Sequence, residues 1–319
     1  MKIAFFWTGD FSKNIISGIS QKKDIEIALV VSQPDKPFGR KQEYLPTPVK
    51  QFALEYAKEI AQPEKLKNNT EFFQKLSSLQ LDFIVVVAYG KIIPKEILEI
   101  PKYGCINIHG SLLPAYRWAS PIQESIKNGD TKTGVTIMYM SEWMDEGDIL
   151  STQEVDITLY DKTPDIFAKF QNVSVDLLTS TLHWIIESRI KWMPQDDTKA
   201  TYCKKIEKED GYIDFQKNNW VSIYNTWRAY SPWPGIYSYF NGKKIDITDC
   251  FFEENELIFD EDFHLWDVVD FEDHGKNHIW ILCMWWILIL NKVKLEWKKE
   301  MSIKDFVNGN KDFLEYNFW

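Results

Sequence analysis

Apolar and polar positions in the first half of the chain alternate between two periods. Residues 2–6 and 25–31 are apolar runs of strand length, and 83–88 is a continuous run rich in β-branched residues, as in a strand buried on both faces. Residues 105–108, 135–140 and 148–157 read as further strands. Between them lie segments with helical spacing: 12–20, 47–60, 121–127 and the long 165–187. Thr47-Pro48 is a favourable N-cap and first-turn pair. Strand–helix alternation predicts an α/β domain with a mainly parallel sheet and helices on both faces. Ligands of such folds sit at the carboxyl ends of strands, where Asn107 and His109 fall.

The pattern changes over 189–205, a polar stretch with Pro194, Asp196 and Asp197 that reads as a linker. Beyond it come a helical segment (220–230) and the turn Ser231-Pro232-Trp233-Pro234-Gly235. Strands over 237–240 and 243–248 then flank Asn241-Gly242, a strong signal for a two-residue hairpin. Short strands with turns predict a small β-barrel. The expected domains are 1–188, a linker over 189–206, and 207–319.

A length of 319 residues leaves room for two ordinary domains, and 45% hydrophobic with 26% charged residues fits a globular protein. A net charge of −10 argues against non-specific nucleic-acid binding while leaving room for a local basic site. The N-terminal apolar run is too short for a signal peptide, and 279–290, the longest apolar stretch, is too short to span a bilayer. Cys105, Cys203, Cys250 and Cys283 lack metal-ligand spacing. The expected setting is therefore the reducing cytoplasm, with no membrane association and no metal.

Candidate chemistry concentrates in Cys105-Ile106-Asn107-Ile108-His109-Gly110-Ser111-Leu112-Leu113-Pro114 and, further on, Met144-Asp145-Glu146-Gly147-Asp148. Asn107 and His109 are two apart on a strand, so both side chains leave one face. Asp145 arrives from a second loop. An amide to polarise a carbonyl, an imidazole to move a proton and a carboxylate to orient the base are the parts acyl transfer needs. Asp148 reads as a structural acid of the same loop, and Cys105 as a small buried hydrophobe. Residues 249–275 hold many acids and no Lys or Arg, and read as an exposed hairpin or loop that avoids phosphate.

Further segments extend the pattern: Gln33-Pro34-Asp35-Lys36-Pro37 with Gly39-Arg40, Thr47-Pro48-Val49-Lys50, Val87-Ala88-Tyr89-Gly90, Gly134-Val135-Thr136-Ile137-Met138 and Lys298-Lys299-Glu300-Met301-Ser302. With these in order, the chain resembles the methionyl-tRNA formyltransferase family over nearly its whole length. The resemblance implies a Rossmann-like formyltransferase domain and a C-terminal OB-like β-barrel that binds tRNA. It implies a transferase that moves a formyl group from 10-formyltetrahydrofolate, its co-substrate, to methionine on initiator Met-tRNA. It implies that Asn107, His109 and Asp145 are catalytic and that Ser111, Leu112, Leu113 and Pro114 bind the folate. Arg40 and Lys41 then lie in a tRNA-engaging loop. Residues 38–45, polar and set between prolines, are expected to be mobile until a partner orders them. Lys292, Lys294, Lys298 and Lys299 read equally as a tRNA-facing strip or a polar face. The expected protein is a monomer. The alternatives are an amino-sugar nucleotide N-formyltransferase and an inactive folate- or RNA-binding relative.

One departure stands out. The chain has 14 Trp and 14 Gly, where about 22 Gly would be usual. Trp7, Trp118, Trp143, Trp286 and Trp297 stand at glycine positions of the family, and Trp266 and Trp280 are placed with them. Glycine serves positive φ or close backbone approach. The pattern suggests a source that reads the stop codon UGA as glycine, written here as Trp; the alternative is a lineage that uses these tryptophans. Trp7, Trp118 and Trp143 are expected to crowd the site, and Trp266, Trp286 and Trp297 to cost stability.

Overall fold

A computed structural model describes the chain except for residues 9–10, 39–42, 57, 216, 255–267, 274–275, 284–285, 317 and 319. The chain forms two compact units. The first comprises Met1–Ile122, Thr131–Ile157 and Asp165–Lys204; the second comprises Gln123–Asp130, Thr158–Pro164 and Lys205–Trp319. One division falls at Lys204, while residues 123–130 and 158–164, expected in the first domain, group with the second unit.

Apolar runs become strands and helical-period segments become helices through most of residues 1–204. In chain order these are β1 (Lys2–Trp7), α1 (Phe11–Ser20), β2 (Glu26–Val31), β3 (Lys36–Phe38), β4 (Glu43–Leu45), α2 (Pro48–Glu55) and β5 (Ile60–Ala61). There follow α3 (Thr70–Ser78), β6 (Phe83–Val87), α4 (Lys95–Leu98), β7 (Cys105–His109), β8 (Arg117–Trp118), α5 (Pro121–Lys127), β9 (Lys132–Tyr139), β10 (Ile149–Asp156), α6 (Thr163–Ile186) and β11 (Tyr202–Cys203). The main sheet has seven strands in the order β10-β9-β7-β6-β1-β2-β5. Its β7-to-β5 part is parallel, while β9 and β10 each add antiparallel.

β6 and all of β1 but Lys2 are buried, with helices on both faces. Ala4, Phe6, Ile84 and Val86 pack with Phe72 and Leu76 of α3 and Ile97 of α4. On the other face Trp7 meets Phe52 of α2 edge-on, at 5.5 Å between ring centres. Thr47 caps α2 as expected, its hydroxyl accepting the Lys50 N–H at 3.2 Å. The helix expected to reach residue 60 ends at Glu55. Val30 N–H donates to Glu59 and Ser32 N–H to Ala61, so 60–61 joins the sheet edge beside β2. Helical spacing alone could not register that ladder.

The second unit holds α7 (Trp220–Ala229), β12 (Ile236–Phe240), β13 (Lys243–Glu254), β14 (Val268–Asp273), β15 (Lys276–Cys283), β16 (Trp286–Leu295), β17 (Met301–Ser302) and α8 (Ile303–Gly309). Its antiparallel sheet runs β12-β13-β16-β15-β14, with β17 added on β16. Ile223 and Trp227 of α7, Ile245 and Ile247 of β13, Leu288 and Leu290 of β16 and Phe306 of α8 share one core. Asn241 and Gly242 turn the first hairpin with φ of 48° and 72°, the left-handed pair that a two-residue turn requires. The acidic stretch from 249 is not all loop. Residues 249–254 continue β13, and 268–273 form β14 paired with β15. On β16, Lys292 pairs with Glu300 (3.6 Å) and Lys294 with Asp246 (3.7 Å), both exposed to solvent.

Candidate active site

The site is built where β7 ends. Asn107 pairs with Val86 and Met138, and His109 with Thr136, so β6 holds β7 as far as Asn107 and β9 holds it to its last residue. Their spacing turns both side chains to one face. The Ser111–Pro114 turn follows immediately and is pinned by β9. Thr136 Oγ1 donates to the Ser111 carbonyl at 2.6 Å and accepts the Leu113 N–H at 3.2 Å. Ser111 Oγ closes the turn on the Ala115 carbonyl at 2.6 Å. Gly134 of β9 leaves room for Leu112, whose side chain fills the space where a Cβ would stand.

His109 is buried. Its Nε2 meets the Tyr116 carbonyl at 2.9 Å. A carbonyl can only accept, so Nε2 carries the hydrogen. Nδ1 faces Asp145 Oδ2 at 3.7 Å. The same carboxylate oxygen accepts the Trp118 N–H at 2.9 Å. Asp145 stands at φ +60°, a left-handed conformation that Asp adopts more readily than most residues. Two residues on, Gly147 approaches the Tyr139 carbonyl so closely that any Cβ would overlap it. The imidazole and the carboxylate are thus brought together from separate elements, beside Asn107.

The frame of this site comes partly from residues that pattern reading passed over. The side chain of Arg117 is only 1% exposed. It donates to Gln195 through Nε (3.1 Å) and Nη2 (2.9 Å) and to Asp197 through Nη2 (2.6 Å). Burial works against its charge, but hydrogen bonds to Asp197 and Tyr202 prevail and raise its pKa. β8 and β11 form a short parallel ladder beside the site. Tyr116 N–H also donates to Thr201 Oγ1 at 2.8 Å. A charged residue three positions after the Ser111–Pro114 turn is the one sequence signal for Arg117. Gln195 gave none.

Cys105 is buried under α4, and burial pushes its thiol pKa well above the ordinary value, as suits an inert hydrophobe. Arg40 and Lys41 lie outside the described residues. On either side of them β3 and β4 pair antiparallel, Lys36 opposite Leu45 and Phe38 opposite Glu43. Asp35 fixes the base of this hairpin, bonded to Lys50 Nζ (2.6 Å), Gln62 Nε2 (2.8 Å) and the Thr47 N–H (3.3 Å).

The tryptophans divide by backbone. Trp118 and Trp297 hold φ of 83° and 63°, the glycine-favouring region. Trp7 is fully buried in β1 against Phe5 and Phe52, with ordinary strand pairing. Trp143 is 74% exposed, Trp280 is buried in β15, and Trp266 lies outside the described residues.

Among the described residues, no group of three or more His, Cys, Asp or Glu could hold a metal ion, and no helix is long and apolar enough to cross a membrane.

The fold that carries this site has relatives among known proteins. Residues 1–182 match the formyl transferase family, and residues 205–311 match the formyl transferase C-terminal domain. The chain belongs to the formyl transferase family. Within that family it is similar to the methionyl-tRNA formyltransferase of Caldicellulosiruptor saccharolyticus, 43% identical over 311 residues, covering 98% of this chain and 97% of that one. The Sulfurimonas denitrificans protein of the same name is 37% identical over 313 residues, with 98% and 97% covered. Among solved structures, an N-formyltransferase from Helicobacter canadensis bound to folinic acid and dTDP-3-aminofucose aligns with TM-score 0.64 at 16% identity, over 91% of this chain and 98% of that one. HypX from Aquifex aeolicus aligns with TM-score 0.62 at 16% identity, over 99% of this chain and 49% of that one. These two share the fold.

Proposed function

We propose that the chain transfers the formyl group of 10-formyltetrahydrofolate to the α-amino group of methionine on initiator tRNA, for translation initiation in the cytoplasm. The observation that carries this is the full-length similarity, at 43% identity, to a methionyl-tRNA formyltransferase. The approach of His109 to Asp145, 3.7 Å, supports it chemically.

In this reading the amine attacks the formyl carbon, and the formyl oxygen becomes an oxyanion to which the Asn107 amide donates. The amine proton passes to His109. Because Nε2 already holds a hydrogen toward Tyr116, Nδ1 is the basic atom, and Asp145 stabilises the imidazolium that results. Collapse of the tetrahedral intermediate breaks the bond from the formyl carbon to folate N10. N10 takes up the proton, and tetrahydrofolate leaves. Ser111, Leu112, Leu113 and Pro114 receive the folate. Arg40 and Lys41 engage the tRNA, and the C-terminal antiparallel sheet is read as an OB-type barrel that binds it.

Incubation of the protein with Met-tRNA and 10-formyltetrahydrofolate should yield formyl-Met-tRNA, and Met-tRNA should outcompete amino-sugar nucleotides as acceptor. A folded protein that formylates the sugar and leaves the tRNA unmodified would overturn the reading.

A further inference from the structure

The loop that carries Asp145 is gripped by a side chain from far along the chain. Gln195 Nε2 donates to the carbonyls of Asp145 (2.8 Å) and Gly147 (2.7 Å). Its Oε1 accepts from Arg117 Nε (3.1 Å) and Nη2 (2.9 Å). A primary amide offers two N–H groups and two lone pairs, and all four are engaged. Turning the amide over would set its oxygen against two carbonyls and its NH2 against a guanidinium, so its orientation is fixed by its partners. Arg117 is anchored in turn by Asp197 (2.6 Å) and, through its own N–H, by the Thr201 carbonyl (2.8 Å). The next residue, Trp118, donates its N–H to the Asp145 carboxylate (2.9 Å). Asp145 is therefore held at its carbonyl and at its side chain, and both grips trace back to residues 117–118. The left-handed backbone of Asp145 is a sparsely populated conformation that persists where its surroundings impose it.

We propose that Gln195, backed by Arg117, is a positioning residue for formyl transfer: it sets the Asp145 carboxylate at its working distance from His109. This rests on the reading of His109 and Asp145 as the proton-handling pair. Gln195 acts through the loop backbone alone.

The test is Gln195→Glu in the full-length protein. Glutamate keeps the size and still accepts from Arg117, but an ionised carboxylate has no hydrogen for the Asp145 and Gly147 carbonyls. The link to Arg117 survives and the Gln195 grip on the loop is lost, while the Trp118 N–H on Asp145 and the Arg117–Glu146 pair (3.7 Å) remain. The turnover number should fall about 10–100-fold, the scale that small misplacement of a catalytic group produces. The KM for 10-formyltetrahydrofolate and the melting temperature should stay near wild type. Gln195→Ala should show the same loss of turnover, which keeps the test open should the glutamate variant fold poorly. Combined with Asp145→Ala, Gln195→Glu should add no further loss, because both act through one group. Wild-type turnover in both Gln195 variants, or losses that multiply with that of Asp145→Ala, would overturn the proposal. Wild-type turnover in Asp145→Ala would overturn the proton-handling reading beneath it, and the proposal with it.

Discussion

At the scale of single residues, the proposed chemistry rests on an amide, an imidazole and a carboxylate. Asn107→Ala should lower turnover about 100- to 1,000-fold, the loss expected when one oxyanion donor is removed. His109→Ala and Asp145→Ala should also lower it strongly, and pairs of these changes should cost far less than the product of the singles. Thermal melting of each variant checks that folding survives. Asn107 and His109 were legible because strand period alone places residues two apart on one face. Asp145 was legible through its motif. Gln195 was not: it lies 50 positions from Asp145 and 78 from Arg117. Its meaning arises from a tertiary arrangement that no local pattern encodes, within a stretch whose polarity reads as a linker.

At the scale of elements, short pieces fix the site's edges. Gly147 lets the Asp145 loop pass against the Tyr139 carbonyl of β9. Gly147→Ala should force that loop away and depress turnover together with stability, read by kinetics and melting. The Asp35 cluster ties the β3–β4 hairpin to α2. Hydrogen bonds from Lys50 first, then Gln62, with the Thr47 N–H assisting, hold the Asp35 carboxyl below its ordinary value of 3.8 against the opposing effect of burial. A depressed carboxylate contributes stability in full above its ordinary pKa and loses it as pH falls through the lower folded value. Asp35→Asn should therefore melt below wild type at neutral pH, and the gap should close in strongly acidic solution. The Thr47 cap was legible because capping is local. The early end of α2 was not, because it depends on the ladder between β2 and β5.

At the scale of the whole molecule, the two units answer to two family matches, and the remaining question is whether the tryptophans belong to the protein's working sequence. The backbone separates them where sequence comparison could not. Trp118 and Trp297 occupy left-handed positions, where a side chain costs about 1–3 kcal/mol that glycine avoids. Trp7 occupies an ordinary strand position with its ring fully buried, where loss of the side chain should cost about 3–5 kcal/mol through an unfilled cavity. Trp118→Gly keeps the N–H that Asp145 accepts, so it should raise stability and preserve or increase turnover. Trp297→Gly, at a residue 93% exposed, should raise the melting temperature without altering rate. Trp7→Gly should lower it. A gain at Trp7 as well would mean that the strand evolved around glycine there, as a source that reads UGA as glycine requires. The gene supplies the independent check. Under that code the codons for Trp7, Trp118, Trp143, Trp266, Trp280, Trp286 and Trp297 are all UGA and that for Trp233 is UGG, whereas UGG at Trp7, Trp118 and Trp143 would establish these tryptophans as the protein's own.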